Sequence, residues 1–164
     1  MNSFWGTLLV FILAVSPAAY RIEGVPFFKQ DRYQCGPSSL ASVFAYYGKQ
    51  VDISWIIRET YNENLKGSLI TDLENFAEKT GFRTESGQGT PDTIKNSIRS
   101  RRPVIVLMDL GIWLAAKPHY IVVFGYDEKG FIAHDGRNPS VLFEYPRFEK
   151  MWKKVGRPYL IIYP

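Results

Sequence analysis

Cys35 is the only thiol in a chain of 164 residues, and His119 and His134 are the only two imidazoles. A lone cysteine closes no intramolecular disulfide and builds no cysteine-rich zinc site, so its chemistry must be its own. Gly36 and Pro37 follow it, and a proline sits comfortably in a first helical turn, where a missing amide proton costs nothing. Unpaired amides and the positive end of a helix dipole favour a thiolate there, which predicts a lowered thiol pKa. Gly36 would leave room for a substrate backbone. Cysteine is also among the most often buried residue types. Spacing alone therefore leaves an activated nucleophile and an inert thiol both open.

A thiol nucleophile needs a base, and the base needs a group to orient it. His119 heads the run Tyr120-Ile121-Val122-Val123-Phe124, where a rigid strand end would aim the ring into a cleft. His134 ends the next apolar run and is followed by Asp135. If the two runs pair through the turn at 127–130, His119 and Asp135 lie at the same end of a hairpin. Asp135 can then accept from the imidazole and fix its tautomer. His134, with its side chain on the opposite face from Asp135, points away as an ordinary structural histidine. Acyl transfer also needs donors for a developing oxyanion. The Cys35 amide is one candidate, and the side chains of Gln30 and Gln34 are two others.

The elements that must hold these groups are legible from periodicity and punctuation. Residues 24–28 read as a short entry strand or an extended segment. Leu40, Val43, Phe44 and Tyr47 recur at helical spacing after Pro37, and Gly48 stops the run. Asp52 caps a second helix with Ile53, Ile56, Ile57 and Thr60 on one face. Gly67-Ser68 opens a third, with Leu69, Leu73, Phe76 and Ala77 inward and Gly81 as terminator; Thr71 and Glu74 form a capping box if it starts late. Residues 82–88 suit a strand, and Thr90-Pro91 starts a fourth helix through Ile94 and Ile98. Strands are then expected at 103–108, 119–126, 131–134, 141–143 and 159–163, with one or two helical turns at 148–152. Helices followed by a mostly antiparallel sheet make an α+β domain of two packed halves. In that layout the start of the first long helix faces the strands across a cleft.

Composition bounds the rest. The first 20 residues hold no Asp, Glu, Lys or Arg, and residues 4–15 are apolar apart from Gly6 and Thr7. That run, ending in Ser16-Pro17-Ala18-Ala19, reads as a secretory signal peptide cleaved near Ala18 or Ala19. It is short for a membrane span of roughly 20 residues; retention as an N-terminal anchor is the second reading. We therefore expect a signal segment at 1–19 and one domain at 20–164. The product is exported, periplasmic or extracellular, and touches the inner membrane only if the segment stays attached. The formal charge is +4. The basic runs Arg99, Arg101, Arg102 and Lys150, Lys153, Lys154 read as solvated surface, too sparse for a nucleic-acid face.

The segment from Val25 through Gln30, Gln34, Cys35-Gly36-Pro37-Ser38-Ser39-Leu40-Ala41 to Tyr46-Tyr47-Gly48 resembles the N-terminal motif of peptidase family C39 and C39-like proteins. So do Pro103-Val104-Ile105-Val106-Leu107, the His119–Tyr126 run, Asp135, the Phe148 and Trp152 element and the closing apolar strand. The resemblance implies a papain-like fold and a site of Cys35, His119, Asp135 and Gln30. Papain-like enzymes often place the glutamine six positions before the cysteine; Gln30 stands five before, and Gln34 is held in reserve. The resemblance further implies hydrolysis of a peptide or protein substrate through an acyl-enzyme, without metal or organic cofactor. Trp113 and the Lys117-Pro118 loop would border the groove. This chain carries no ABC transporter domain, so the leader-peptide substrates of the transporter-fused branch are not carried over. Amidase or transpeptidase chemistry at the same site, and a silent peptide-binding or assembly module, are the alternatives.

Overall fold

The computed structural model describes residues 18–30, 34–111 and 115–164. Residues 1–17 of the expected signal segment and the expectation for Trp113 lie outside the described residues.

Seven described strands form one sheet: β1 (Tyr20–Arg21), β2 (Arg83–Gln88), β3 (Val104–Asp109), β4 (Pro118–Tyr126), β5 (Gly130–His134), β6 (Val141–Glu144) and β7 (Pro158–Tyr163). Their order is β2-β7-β3-β4-β5-β6, and every described pairing is antiparallel. β3 pairs with β4 from Val104↔Val123 to Asp109↔Pro118, and β1 takes over that edge of β4 at Gly125 and Tyr126. β4 and β5 slip register between Val123 and Gly125, a bulge that hands the Phe124 carbonyl to the Ile22 amide. The helix-first, sheet-later reading therefore describes the chain, with β2 inserted early as the sequence indicated.

The five described helices cover both faces of the sheet: α1 (Cys35–Tyr46), α2 (Ile53–Thr60), α3 (Ile70–Lys79), α4 (Pro91–Arg99) and α5 (Tyr145–Lys153). α1 packs on β4 and is flanked by α2 and α3. From Gly36 to Phe44 all its residues are buried, so polarity along α1 carries no amphipathic stripe. Phe44 stacks on Phe76 and Phe82 at 6.2 and 4.7 Å; burying each such ring stabilises by roughly 1.5–3 kcal/mol. On the other face Phe131 of β5 meets Tyr145 and Phe148 of α5. Successive strand residues alternate faces, so His134 points to the α1 side.

Caps fall largely where the sequence placed them. Asp52 accepts from the Ser54 amide at 2.9 Å. Thr90 and Thr93 exchange a capping box around Pro91, and Ile94 and Ile98 are buried. α3 differs. It starts at Ile70, with Leu69 as its flanking residue and 49% exposed rather than inward. The Thr71–Glu74 box does not form, because the Glu74 carboxylate accepts instead from the hydroxyls of Thr84 and Ser86 on β2. Of the two readings for residues 24–28, the strand does not form. Gly24 turns at φ +75°, and the segment is pinned irregularly by His134 and Ser42, which donate to the carbonyls of Val25 and Pro26.

Candidate active site

Cys35 is the first residue of α1, one position further into the helix than its sequence reading. Gln34 is the flanking cap: its carbonyl accepts the Ser38 amide at 3.0 Å, and its side chain makes no capping bond. A first-turn amide has no partner within its own helix, so the amides at 35 and 36 are free to turn elsewhere. They lie near the Cys35 sulfur and favour its thiolate, as does the Tyr120 backbone of β4. The strand that carries His119 is thereby brought against the thiol, at the residue next to His119.

Those three donors do not win. Burial raises the Cys35 thiol above its ordinary value, and the amides of Tyr120, Gly36 and Cys35 only partly offset it. The lowered pKa expected from the helix start is thus corrected: α1 starts in half-buried surroundings, and desolvation disfavours the thiolate. Gly36 needs a second correction. A Cβ there would stand 3.0 Å from Ser68 Cβ and 3.4 Å from Leu73 Cδ1. The missing side chain admits the loop before α3 rather than a substrate. Tyr120 Oη donates to the Ser68 carbonyl at 3.0 Å and ties that loop to β4.

His119 is buried, with 6% of its surface exposed. Its Nε2 lies 2.6 Å from the main-chain oxygen of Asp135. A carbonyl only accepts, so Nε2 carries the proton and Nδ1 is the basic nitrogen. Burial lowers the His119 pKa, against the Asp135 carbonyl and carboxylate, which raise it. The Asp135 carboxylate itself is directed elsewhere: Oδ1 accepts the Arg137 and Asn138 amides at 2.8 and 2.6 Å. The side chain thus shapes the turn whose carbonyl meets the ring.

His134 takes no part in this cluster. Its Nδ1 accepts the Ser140 amide at 3.2 Å, so Nε2 bears the proton and donates to the Val25 carbonyl at 3.0 Å. Burial lowers its pKa too.

Gln30 reaches the same end of the hairpin. Its amide donates to the Gly136 carbonyl at 2.9 Å, and its carboxamide lies on the bare Cα of Gly136. That glycine, at φ +78°, was not singled out in the sequence; Asp135-Gly136 following a strand was the available signal. The Tyr120 amide was also missed, because a backbone donor leaves no mark in residue type. At the neighbouring loop, Asp109 Oδ1 accepts the Gly111 and Lys117 amides, each at 2.7 Å. These bonds fix both ends of the β3–β4 connection, with Lys117 and Pro118 exposed.

The arrangement offers a thiol, an imidazole with its proton held on Nε2, and amides at a helix start. The model of the Peptidase_C39 like family matches residues 22–160. The transport/processing ATP-binding protein ComA of Streptococcus pneumoniae is 29% identical over 134 residues, covering 76% of this chain and 17% of that protein. The chain thus spans about a sixth of the length of the curated relatives it matches. The crystal structure of the peptidase domain of Streptococcus ComA, a bi-functional ABC transporter involved in a quorum sensing pathway, superposes with a TM-score of 0.71. It is 21% identical and covers 86% of this chain and 99% of that one. A double glycine motif protease from an AMS/PCAT transporter, solved in complex with the leader peptide, gives 0.72 at 22% identity, covering 88% and 94%. The expected α+β, papain-like fold is the fold these structures share with this chain.

Proposed function

The chain belongs to the Peptidase_C39 like family, and from that premise we propose that it is a cysteine peptidase acting through Cys35, His119, Asp135 and Gln30. The observation that carries the reading is the Tyr120 backbone at the Cys35 sulfur, which sets the thiol beside the residue that follows His119. The leader-peptide complex of the related protease supports a peptide as the ligand class; its double-glycine specificity is not transferred.

With the thiol raised and the imidazole lowered, the resting pair is neutral. His119 Nδ1 takes the thiol proton as sulfur bonds to the scissile carbonyl carbon. The Asp135 carbonyl, already accepting from Nε2, stabilises the imidazolium that forms. The Cys35 amide and the Gln30 carboxamide N–H receive the oxyanion; such a donor is worth about 10²–10³ in kcat. His119 then returns the proton to the leaving amine as the C–N bond breaks. Water, deprotonated by the same nitrogen, releases the acyl group from sulfur.

The test is a thiol-reactive peptide probe on the wild type and on His119→Ala. Labelling of Cys35 far faster than that of an ordinary exposed thiol, lost in His119→Ala, supports the dyad. Slow labelling indifferent to His119 sinks the enzymatic reading.

A further inference from the structure

Ser38, Ser39 and Ser42 follow Cys35 along α1 by three, four and seven residues, which sets all four on one side of the helix. The three serines are buried, although nothing in packing asks for hydroxyls there. Ser42 has a use for its own: it donates to the Pro26 carbonyl and pins the segment that leads to Gln30. Ser38 is different. Its amide donates to the Gln34 carbonyl at 3.0 Å. Its side chain is 3% exposed, and Oγ has no partner among the described residues. A hydroxyl taken from water and left unbonded is a cost that alanine would not carry.

A second buried oxygen is in the same condition. Gln30 Oε1 meets no donor among the described residues. It is the end of the carboxamide that faces Gly136: a Cβ at that position would lie 2.4 Å from Oε1, 2.6 Å from Cδ and 3.1 Å from Cγ. The N–H end is turned away from the glycine. Gly136 is also one wall of a small cavity whose other walls include Ser38, Ser39, Ser42 and His134. That cavity has a volume of about 10 Å³, close to the least that holds one water. Gly136 therefore stands between two oxygens that each lack a partner, one able to donate and one able only to accept.

A donor for an oxyanion must present N–H, yet the two ends of a carboxamide have nearly the same shape. Packing around the group does not choose between them. A hydrogen-bond donor placed on the oxygen does. His134, on the same cavity, is already committed: Nε2 donates to the Val25 carbonyl and Nδ1 accepts the Ser140 amide. The Ser42 proton is given to Pro26. Ser38 Oγ–H is uncommitted.

We propose that Ser38 is a positioning residue for the peptidase reaction. Its hydroxyl donates to one water seated in the cavity, and that water donates to Gln30 Oε1. The carboxamide is thereby held with its N–H toward the oxyanion. Ser38 touches neither the substrate nor the reacting atoms. Its part in the reaction rests on Gln30 as the oxyanion donor; the bridge to Gln30 does not.

The experiment uses the full chain and Ser38→Ala, a change that removes only the hydroxyl and suits a helix interior. The Gln30 side-chain amide signals in a ¹⁵N-labelled sample are identified by their loss in Gln30→Ala. In Ser38→Ala they should shift, and their exchange with solvent should become several-fold faster, with the melting temperature little changed. A crystal structure of the wild type should show one water bonded to both Ser38 Oγ and Gln30 Oε1. On any cleaved peptide, Ser38→Ala should lower kcat about tenfold and leave KM within about twofold, since the lost hold acts on the transition state. In the Gln30→Ala background the same change should cost no further kcat. Gln30 signals indifferent to Ser38→Ala, a dry cavity, or losses in kcat that add in the double variant each overturn the proposal. Signals that respond in a protein where Gln30→Ala costs no kcat support the bridge and overturn only the oxyanion reading.

Discussion

His119 Nε2 is paired with the main-chain oxygen of Asp135 at 2.6 Å, while the carboxylate of the same residue accepts the Arg137 and Asn138 amides. The aspartate therefore positions the ring through its backbone and holds that backbone in place with its side chain. Asn keeps an oxygen for the two amides, whereas Ala releases the turn. We expect Asp135→Asn to retain kcat within about tenfold and Asp135→Ala to lose considerably more. A carboxylate acting directly on the ring would instead cost about 10⁴-fold on conversion to Asn. Steady-state kinetics on any cleaved peptide decide between them.

Gln30 rests on Gly136. A Cβ at 136 would stand 2.6 Å from Gln30 Cδ and 2.4 Å from its Oε1, a collision with the carboxamide whichever way round it sits. At φ +78° an alanine also carries left-handed strain of roughly 1–2 kcal/mol. Gly136→Ala should therefore displace Gln30 and lower kcat about tenfold or more, with a modest fall in melting temperature. Gln30→Ala should cost about 10²–10³ in kcat. In the Gln30→Ala background, Gly136→Ala should cost no further activity, because the group it displaces is gone. Additive losses in kcat would show that Gly136 acts by another route.

Where side-chain pattern sets the structure, the sequence was readable. Asp52 and Thr90 cap as their types require, and the β-branched runs at 104–109 and 118–126 became the central strands. Where tertiary context competes, it was not. Thr71 and Glu74 had the spacing of a capping box, yet Glu74 meets hydroxyls from a strand formed later in the chain. Cys35 stands at a helix start, where local reasoning predicts a thiolate. That helix start is half-buried against β4, and desolvation reverses the sign. The hairpin placed His119 near Asp135 correctly, but residue types could not reveal that a carbonyl makes the contact.

His134 should matter to stability and not to chemistry. Removing it leaves the buried Val25 carbonyl without its partner, at about 1–3 kcal/mol, while the Ser140 amide, on an exposed residue, can turn to water. Chemical denaturation of His134→Ala should show a loss in that range, with activity per folded molecule kept. A collapse of activity in fully folded protein would place His134 in the site.

Both histidines carry folded-state pKa values lowered from 6.5, chiefly by burial. The unfolded chain therefore binds protons first as the solution is acidified. Their stabilisation is complete above about pH 6.5 and falls as pH drops below it, levelling off beneath the folded values. Melting temperature should decline below that point in the wild type. The slope should be shallower in His119→Gln and in His134→Gln, each of which removes one titrating ring. A wild-type curve flat from pH 7 to 5 would contradict the buried, neutral assignment of the two rings.

Cys35 offers the sharpest test of the resting state. A preformed thiolate–imidazolium pair would alkylate at a rate nearly constant down to acid pH. A thiol raised above its ordinary 9.0 by burial behaves differently with a small neutral reagent such as iodoacetamide. The rate should climb continuously through pH 7 to 9, with no plateau in that range. Since the chain has one cysteine, the intact-mass shift reads this site alone. Substrate that replaces water around the sulfur with the carbonyl and the His119 base should accelerate attack without ionising the free enzyme. Turnover should then fall toward acid pH as His119 is protonated, at a pH below 6.5, because burial lowers its pKa. An alkylation rate that is flat between pH 5 and 8 would establish the ion pair and overturn the neutral one.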